Sequence, residues 1–327
     1  MIRRLYTYSG SGTDPYRNLA LEQYLTETVP EDACILYLWQ NQNTVVIGRN
    51  QNAWKECRTG LLEQEGGVLA RRLSGGGAVF HDMGNLNFTF LTVRDDYDVE
   101  KQTDTILQAV RSLGIPAEKN GRNDLTADGG KFSGHAYYRA GEQCYHHGTL
   151  MVSVDLAPLE KYLNVSPLKL QAKGVKSVRS RVVNLRDFRP DLTLEELRAA
   201  LVKAFGEVYG LPVQTLTEEE LDADELAAGQ ARFSDPAWIY GDSQPLEVSR
   251  EAAFPWGILR VDHSQADGVI TQAALWSDGL EGDFLSLVPE ALAGCPKNAE
   301  DIRTRLSALP GSQAEMVEDI LSLLIKE

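Results

Sequence analysis

Residues 71–82 read Arg71-Arg72-Leu73-Ser74-Gly75-Gly76-Gly77-Ala78-Val79-Phe80-His81-Asp82, with two arginines ahead of three consecutive glycines. Three glycines in a row are costly inside a helix or strand. They suit a place where backbone approaches a ligand closely or turns its N–H groups on an anion. The arginines add fixed charge and paired donors that match phosphate. A flexible hairpin turn with surface arginines has the same composition, so the residues alone leave both readings open. No GKS or GKT follows, which excludes a P-loop. Gly10-Ser11-Gly12 lacks the third glycine and the preceding strand of a dinucleotide fingerprint.

Three further segments carry chemistry. Asn120-Gly121-Arg122-Asn123-Asp124 is followed by Gly129-Gly130-Lys131-Phe132-Ser133-Gly134. A lysine between glycines and a strand is a point charge that fits beside a reacting phosphate. Asp124 is a candidate Mg2+ ligand, because magnesium takes one or two carboxylates plus substrate phosphates. A turn-rich hairpin with a solvated lysine is the plainer alternative. In His146-His147-Gly148 the two imidazoles of a strand face opposite ways, so at most one lines a given pocket. A packed core histidine is the plainer reading of either. Residues 169–181 hold Lys169, Lys173, Lys176, Arg179 and Arg181 and no acid. Phosphate, pyrophosphate or an acidic partner fits such a segment, and so does a solvated loop.

Regular elements must position these residues. Asp14-Pro15 is an N-cap followed by proline at the first helical position, and Tyr16, Leu19, Ala20 and Tyr24 continue at helical spacing. Residues 34–40 and 44–48 read as strands around a polar Gln-Asn-Gln turn. In 85–93, Leu86, Phe88 and Phe90 share one strand face. A helix stripe runs from Val99 to Leu113 and stops at Gly114. Strands are expected at 131–139 and 144–154. Thr193 and Glu196 form a capping box ahead of a helix that Gly210 ends. The acidic run 218–225 reads as a solvated helix face or linker. Beyond Gly241 the pattern restarts, with strands at 257–263 and 268–276 and helices near 283–293, 298–308 and 314–325. This predicts a mixed α/β fold, with a main domain over 1–245 and a small second one over 250–327.

Composition narrows the function. The chain has 327 residues, 43% hydrophobic and 24% charged, enough for a sizeable core. A net charge of −15 repels a phosphate backbone. No aromatics interleave the basic residues at 169–181, so nucleic acid is not the expected partner. Cys34, Cys57, Cys144 and Cys295 lie far apart without zinc spacing. The first residues lack an apolar h-region, and no run of 18 or more apolar residues occurs. A reducing cytoplasm suits the thiols.

Taken in order, five phrases resemble the lipoate–protein ligases: VVIGRNQNAWKEC at 45–57, RRLSGGGAVFHDMGNLNFTF at 71–90, GRNDLTADGGKFSGHAY at 121–137, HHGTLMVSVDL at 146–156 and KGVKSVRSRVVNL at 173–185. The likeness covers residues 14–185, and GILRVDH, DGVI and WSDGL in the tail are similar to the family's small accessory domain. The resemblance implies a catalytic domain related to biotin ligases and class II aminoacyl-tRNA synthetases. It implies a reaction in two steps. Lipoate attacks the α-phosphate of Mg-ATP, giving lipoyl-adenylate and pyrophosphate. A lysine of a lipoyl-accepting protein then takes the acyl group and releases AMP.

The same resemblance assigns residues. Lys131 matches the essential lysine. Arg72 and the backbone of Gly77, Ala78, Val79 and Phe80 match the nucleotide-contacting loop, with Ser74, Gly75 and Gly76 bordering the lipoyl chain. Asn85, Asn123, Gly134, His147 and Gly148 match pocket positions, and Lys173 and Arg179 sit in a segment that orders over the adenylate. Residues 124–131 are shorter than in some relatives, which puts the reach of Asp124 to a metal in question. Implied acceptors are lipoyl domains of 2-oxoacid dehydrogenase acyltransferase subunits and the glycine-cleavage carrier protein, served by a cytoplasmic monomer. The main alternative is an ATP-independent octanoyl or lipoyl transferase working through a cysteine thioester, for which Cys144 is the nearest thiol. A biotin ligase would need a glycine/arginine-rich biotin loop, which is not found here. An acyl carrier would not combine nucleotide and lysine chemistry.

Overall fold

The computed structural model describes residues 1–120, 124–164, 182–241 and 246–325. Its elements run β1 (Arg4–Ser9), α1 (Pro15–Thr28), β2 (Ala33–Trp39), β3 (Thr44–Ile47), α2 (Ala53–Glu56), α3 (Thr59–Gln64), β4 (Val68–Arg71), β5 (Val79–His81), β6 (Asn85–Val93) and α4 (Val99–Ser112). Then come β7 (Ala117–Asn120), β8 (Asp124–Ala127), β9 (Gly130–Ala140), β10 (Gln143–Met151), α5 (Leu156–Tyr162), α6 (Leu194–Tyr209), β11 (Val213–Thr215), α7 (Ala223–Phe233) and α8 (Pro236–Tyr240). The last are β12 (Val248–Phe254), β13 (Gly257–Ala266), β14 (Val269–Ser277), α9 (Gly282–Leu292), β15 (Cys295–Pro296), α10 (Ala299–Ser307) and α11 (Ala314–Ile325).

Local chemistry starts the helices where expected. The Asp14 carboxylate accepts from Tyr16 N at 2.9 Å ahead of Pro15. Thr193 and Glu196 close a reciprocal capping box, and Gly210 ends α6 in the left-handed region. Eight strands form the main sheet in the order β11-β1-β2-β6-β10-β9-β8-β7. One face is covered by α4 and α6 through Ile106, Val110, Leu201 and Phe205. The other is covered by α1 and α7 through Leu19, Leu25, Leu226 and Phe233. Both faces of β6 are therefore used. Leu86, Phe88 and Phe90 enter the first core, which leaves Asn85, Asn87 and Thr89 for the other side.

The expected strands at 34–40 and 44–48 form, but they do not pair with each other. β2 lies between β1 and β6, while β3 belongs to a three-stranded sheet ordered β4-β3-β5. Two of the polar residues between them, Gln40 and Asn41, are buried. Gln40 Nε2 donates to the carbonyls of Met83 and Asn85 at 3.0 and 3.2 Å, and Asn41 Oδ1 accepts from Asn18 at 2.9 Å. Amides that serve this many partners make a corner that passes the chain from one sheet to the next.

Residues 248–325 build a four-stranded sheet, β12-β13-β14-β15, packed on α9, α10 and α11 around a separate core. The acidic run is partly tied down: Glu218 accepts from the Tyr8 hydroxyl at 2.9 Å and pairs with Arg17. Among the described residues no helix is long and apolar enough to cross a membrane.

Candidate active site

The small sheet and the main sheet meet at a cavity of about 560 Å3. The loop from β4 to β5 forms one wall and passes the end of β3, where Gly48 meets it. A Cβ on Gly48 would stand 2.2 Å from the Gly76 carbonyl oxygen, and Gly76 itself has φ +90. Both positions therefore require glycine.

Arg72, 6% exposed, organises this loop from beneath. Its guanidinium donates to the carbonyls of Gly75 at 2.7 Å, Gly77 at 2.9 Å and Val46 at 3.3 Å, and to Ser74 Oγ at 3.0 Å. Arg71 is spent in the same way on the carbonyls of Gly48, Arg49, Gln51, Trp238 and Ile239. Burial lowers both guanidiniums to about 10, which leaves them charged at neutral pH. Two buried cations held by carbonyl dipoles give the cavity floor a positive potential.

A buried polar chain continues from the loop into the main sheet. Ser74 Oγ lies 2.8 Å from His147 Nε2, and His147 Nδ1 lies 2.8 Å from Glu22 Oε1. The same carboxylate oxygen accepts from Thr89 at 2.7 Å, and Thr89 Oγ1 accepts from Trp39 Nε1 at 3.0 Å. Nδ1 of His147 faces an acceptor-only group and so carries the proton. His146 faces away, with Nε2 2.9 Å from His135 Nδ1 and Nδ1 3.0 Å from Gln102 Oε1. One of the adjacent histidines lines the cavity and the other is packed in the core, as alternation requires.

Lys131 enters from β9, and its Nζ is 2.7 Å from Asp124 Oδ1 on β8. The two strands are joined by Asp128-Gly129, both at positive φ, a tight hairpin turn. A Cβ on Gly148 would stand 2.6 Å from both the Gly134 carbonyl and Phe88 Cζ, so β9 and β10 close up only around glycine there. Apolar lining comes from Leu19, Trp39, Val46 and Ala136. Asn85, Asn87 and His81 add polar groups; burial drives His81 down to about 3, so it is neutral.

The accessory module also reaches the site. Phe254, Trp256 and Leu280 line the cavity. The Gly76 N–H donates to the Gly279 carbonyl at 2.9 Å, and Asn50 Nδ2 donates to the Gly282 carbonyl at 2.9 Å. Part of the triple glycine thus serves backbone docking: a Cβ on Gly75 would stand 2.5 Å from the Gly279 oxygen.

A buried arginine-cradled glycine loop, a lysine beside a carboxylate and a mixed polar and apolar cavity fit an acid activated on a nucleotide. Comparison with known proteins agrees. Residues 14–206 match the lipoyl protein ligase A/B catalytic domain, and residues 243–324 match the bacterial lipoate protein ligase C-terminus. The chain belongs to the lipoate–protein ligase family. Lipoate-protein ligase A of Psychrobacter cryohalolentis is 39% identical over 326 residues, covering 96% of each chain. The crystal structure of P. falciparum LipL1 in complex with lipoate aligns at a TM-score of 0.87 and 26% identity, over 99% of this chain and 100% of that one. A lipoate-protein ligase A bound with ATP aligns at 0.61 and 27% identity, over 74% of this chain and 99% of that one.

Of the residues singled out in this ligase from sequence, Arg72, Gly76, Gly77, Ala78, Val79, Phe80, Asn85, Asp124, Lys131, Gly134, His147 and Gly148 line the one cavity. Ser74 and Gly75 lie behind that wall, Ser74 against His147 and Gly75 against the accessory module. Asn123, Lys173 and Arg179 fall outside the described residues. Sequence reasoning missed Asn87, His81, Leu19, Trp39 and Glu22. Asn87 was findable, two residues from Asn85 on the same strand face. Leu19 and Trp39 carry no signal that separates a pocket wall from a core.

Proposed function

We infer that this chain is an ATP-dependent lipoate–protein ligase. The lipoate carboxylate attacks the α-phosphate of MgATP, the bond to the β-phosphate breaks, and pyrophosphate leaves. An acceptor lysine amine then attacks the acyl carbon of the mixed anhydride, AMP departs, and the amine proton is lost to solvent. The observation that carries the reading is Lys131 Nζ at the cavity wall, an ammonium 2.7 Å from a carboxylate and within one cavity with the arginine-cradled loop. An ammonium there draws two anions together and offsets charge that grows as they react.

In this proposal Arg72 holds the loop whose backbone from Gly77 to Phe80 contacts the nucleotide. Ser74, Gly75 and Gly76 border the acyl chain from behind, and Asn85, Asn123, Gly134, His147 and Gly148 line its pocket. Lys173 and Arg179 close over the adenylate and exclude water from it. Asp124 holds Lys131 in an ion pair and would be the carboxylate that supports Mg2+ carried in on ATP. The separate cores and the limits of the two family matches support a catalytic domain over 1–245 and an accessory domain over 250–327. The proposed acceptors are lipoyl domains of 2-oxoacid dehydrogenase acyltransferase subunits and the glycine-cleavage carrier protein, modified in the cytoplasm by a monomer.

A thioester mechanism needs a thiolate at the cavity. All four cysteines are described, all are buried, and none lines it. Burial raises the Cys144 thiol, which opposes ionisation. The deciding experiment is pyrophosphate release from ATP without acceptor protein. Release that depends on lipoate is expected. A folded chain that binds lipoate and releases none would overturn the reading.

A further inference from the structure

His81, at the end of β5, lines the cavity and is 3% exposed. Its Nδ1 lies 3.2 Å from Asn41 Nδ2 and 3.4 Å from Asn87 Nδ2. Its Nε2 is buried and meets no hydrogen-bond partner among the described residues. Other side chains with such an atom, Gln51 and Thr126 for example, do not line the cavity. The surrounding amides decide which ring nitrogen holds the proton. Asn18 Nδ2 donates to the Gln40 carbonyl at 2.7 Å, which fixes the Asn18 amide. The same group donates to Asn41 Oδ1 at 2.9 Å, so Asn41 turns its Nδ2 to His81. An amide nitrogen only donates. Nδ1 of His81 therefore accepts, and in a neutral imidazole the proton sits on Nε2. The cavity wall thus holds a buried N–H donor that the described residues leave unsatisfied.

Such donors are rare in folded proteins, and one in a cavity wall points to a ligand atom that accepts. The surroundings select that atom. Trp39 meets the His81 ring edge-on, with centroids 6.3 Å apart and planes at 73°, and its own Nε1 is spent on Thr89. Leu19, Trp39 and Val46 give the cavity its apolar lining. In the ligase reading above, on which this rests, Lys131 takes the carboxylate and the acyl tail lies along that lining. A methylene against His81 would cover the N–H and leave it unsatisfied. A divalent sulfur lies well beside an aromatic ring and is still a weak acceptor. We propose that His81 Nε2–H meets a ring sulfur of the bound acid, and that this contact sets a preference for a dithiolane acid over an all-carbon acid of the same shape.

Two acids test this in pyrophosphate release: lipoate, and cyclopentylpentanoate, in which methylenes replace both sulfurs. Wild-type kcat/KM should favour lipoate about tenfold, near the low end of what an unsatisfied buried donor costs. His81→Phe keeps a ring but no donor, and its ratio should fall to within about twofold of one. The ratio cancels losses common to both acids, such as those from Asn41 and Asn87 left without their acceptor. A wild-type ratio near one would overturn the proposal, and so would a preference undiminished in His81→Phe. Should His81→Phe fail to fold, nuclear magnetic resonance on the wild-type chain with isotope-labelled histidine decides. Lipoate should move the His81 Nε2–H proton signal downfield and the analogue should not; equal shifts would overturn the assignment. Wild-type release with lipoate is measured first. Its absence overturns the ligase reading instead, and leaves the resonance comparison to judge His81.

Discussion

Gly134 stands directly under the Lys131 ammonium: a Cβ on Gly134 would lie 2.8 Å from Lys131 Nζ and 3.0 Å from Cε. Residues three apart in a regular strand face opposite ways. Here the register slips between the Leu125↔Ser133 and Thr126↔Lys131 pairs, so Phe132 is an extra residue in β9. That bulge turns Lys131 onto the cavity face with Gly134 and Ala136.

Gly134→Ala is therefore expected to harm catalysis without harming the fold. The added methyl meets only the end of a flexible side chain, so stability should change by less than about 1 kcal/mol. The ammonium must shift, and a misplacement of about 1 Å costs about 100-fold in rate. Wild-type pyrophosphate release in this variant would show that Lys131 does not act from the position seen here.

Lys131→Ala should abolish adenylate formation in a folded protein. By analogy with a lost oxyanion donor, the loss is about 2.7–4 kcal/mol of transition-state stabilisation, or roughly 100- to 1,000-fold. Lys131→Arg should not rescue it, because a planar fork cannot replace a compact ammonium above Gly134. Single-turnover pyrophosphate release checks both variants, and near-normal rates in either would remove Lys131 from the chemistry.

Ser74→Ala tests the buried chain between the glycine loop and the main sheet. Loss of the hydroxyl leaves His147 Nε2, on a residue that is 6% exposed, without its partner, while Arg72 Nε keeps the Gly75 carbonyl at 3.2 Å. A buried group left unsatisfied costs about 1–3 kcal/mol. The urea midpoint should drop accordingly, and the KM for lipoate should rise as the loop loosens. A midpoint equal to wild type would mean that water replaces the hydroxyl at no cost.

The sequence signals that survived were those with a local cause. The Asp14-Pro15 start, the Thr193/Glu196 box and the alternation of Leu86, Phe88 and Phe90 need only neighbouring residues, and each formed as read. Asp128-Gly129 is an equally local signal, the turn of the hairpin that the sequence offered before Lys131. Non-local matters were not legible. Nothing in Gln40-Asn41-Gln42 shows that the first two amides are buried while the third is exposed, because the partners Asn18, Met83 and Asn85 come from elsewhere. The triple glycine was read as a ligand cradle, yet Gly75 and Gly76 also pack on Gly279, some 200 residues away. Glu22 resembled any helix carboxylate until the fold set it against His147 and Thr89.

Acid should weaken this protein sooner than its carboxylates require. His81, His135 and His146 are almost fully buried. Burial, as the largest cause, lowers His81 and His135 to about 3 and His146 well below its ordinary value. In the unfolded chain the same imidazoles protonate near pH 6.5. Between those limits the unfolded state binds protons that the native state refuses, so stability must fall as pH drops through 6.5. Well inside that window each imidazole removes about 1.4 kcal/mol per pH unit. Urea midpoints measured from pH 7.5 down to 5 should decline, and more steeply below 6.5. A midpoint that stays level from pH 7 to 5.5 would show that the three rings are protonated in the folded state, which their packing against Trp39, Phe88, Phe90 and Tyr137 opposes.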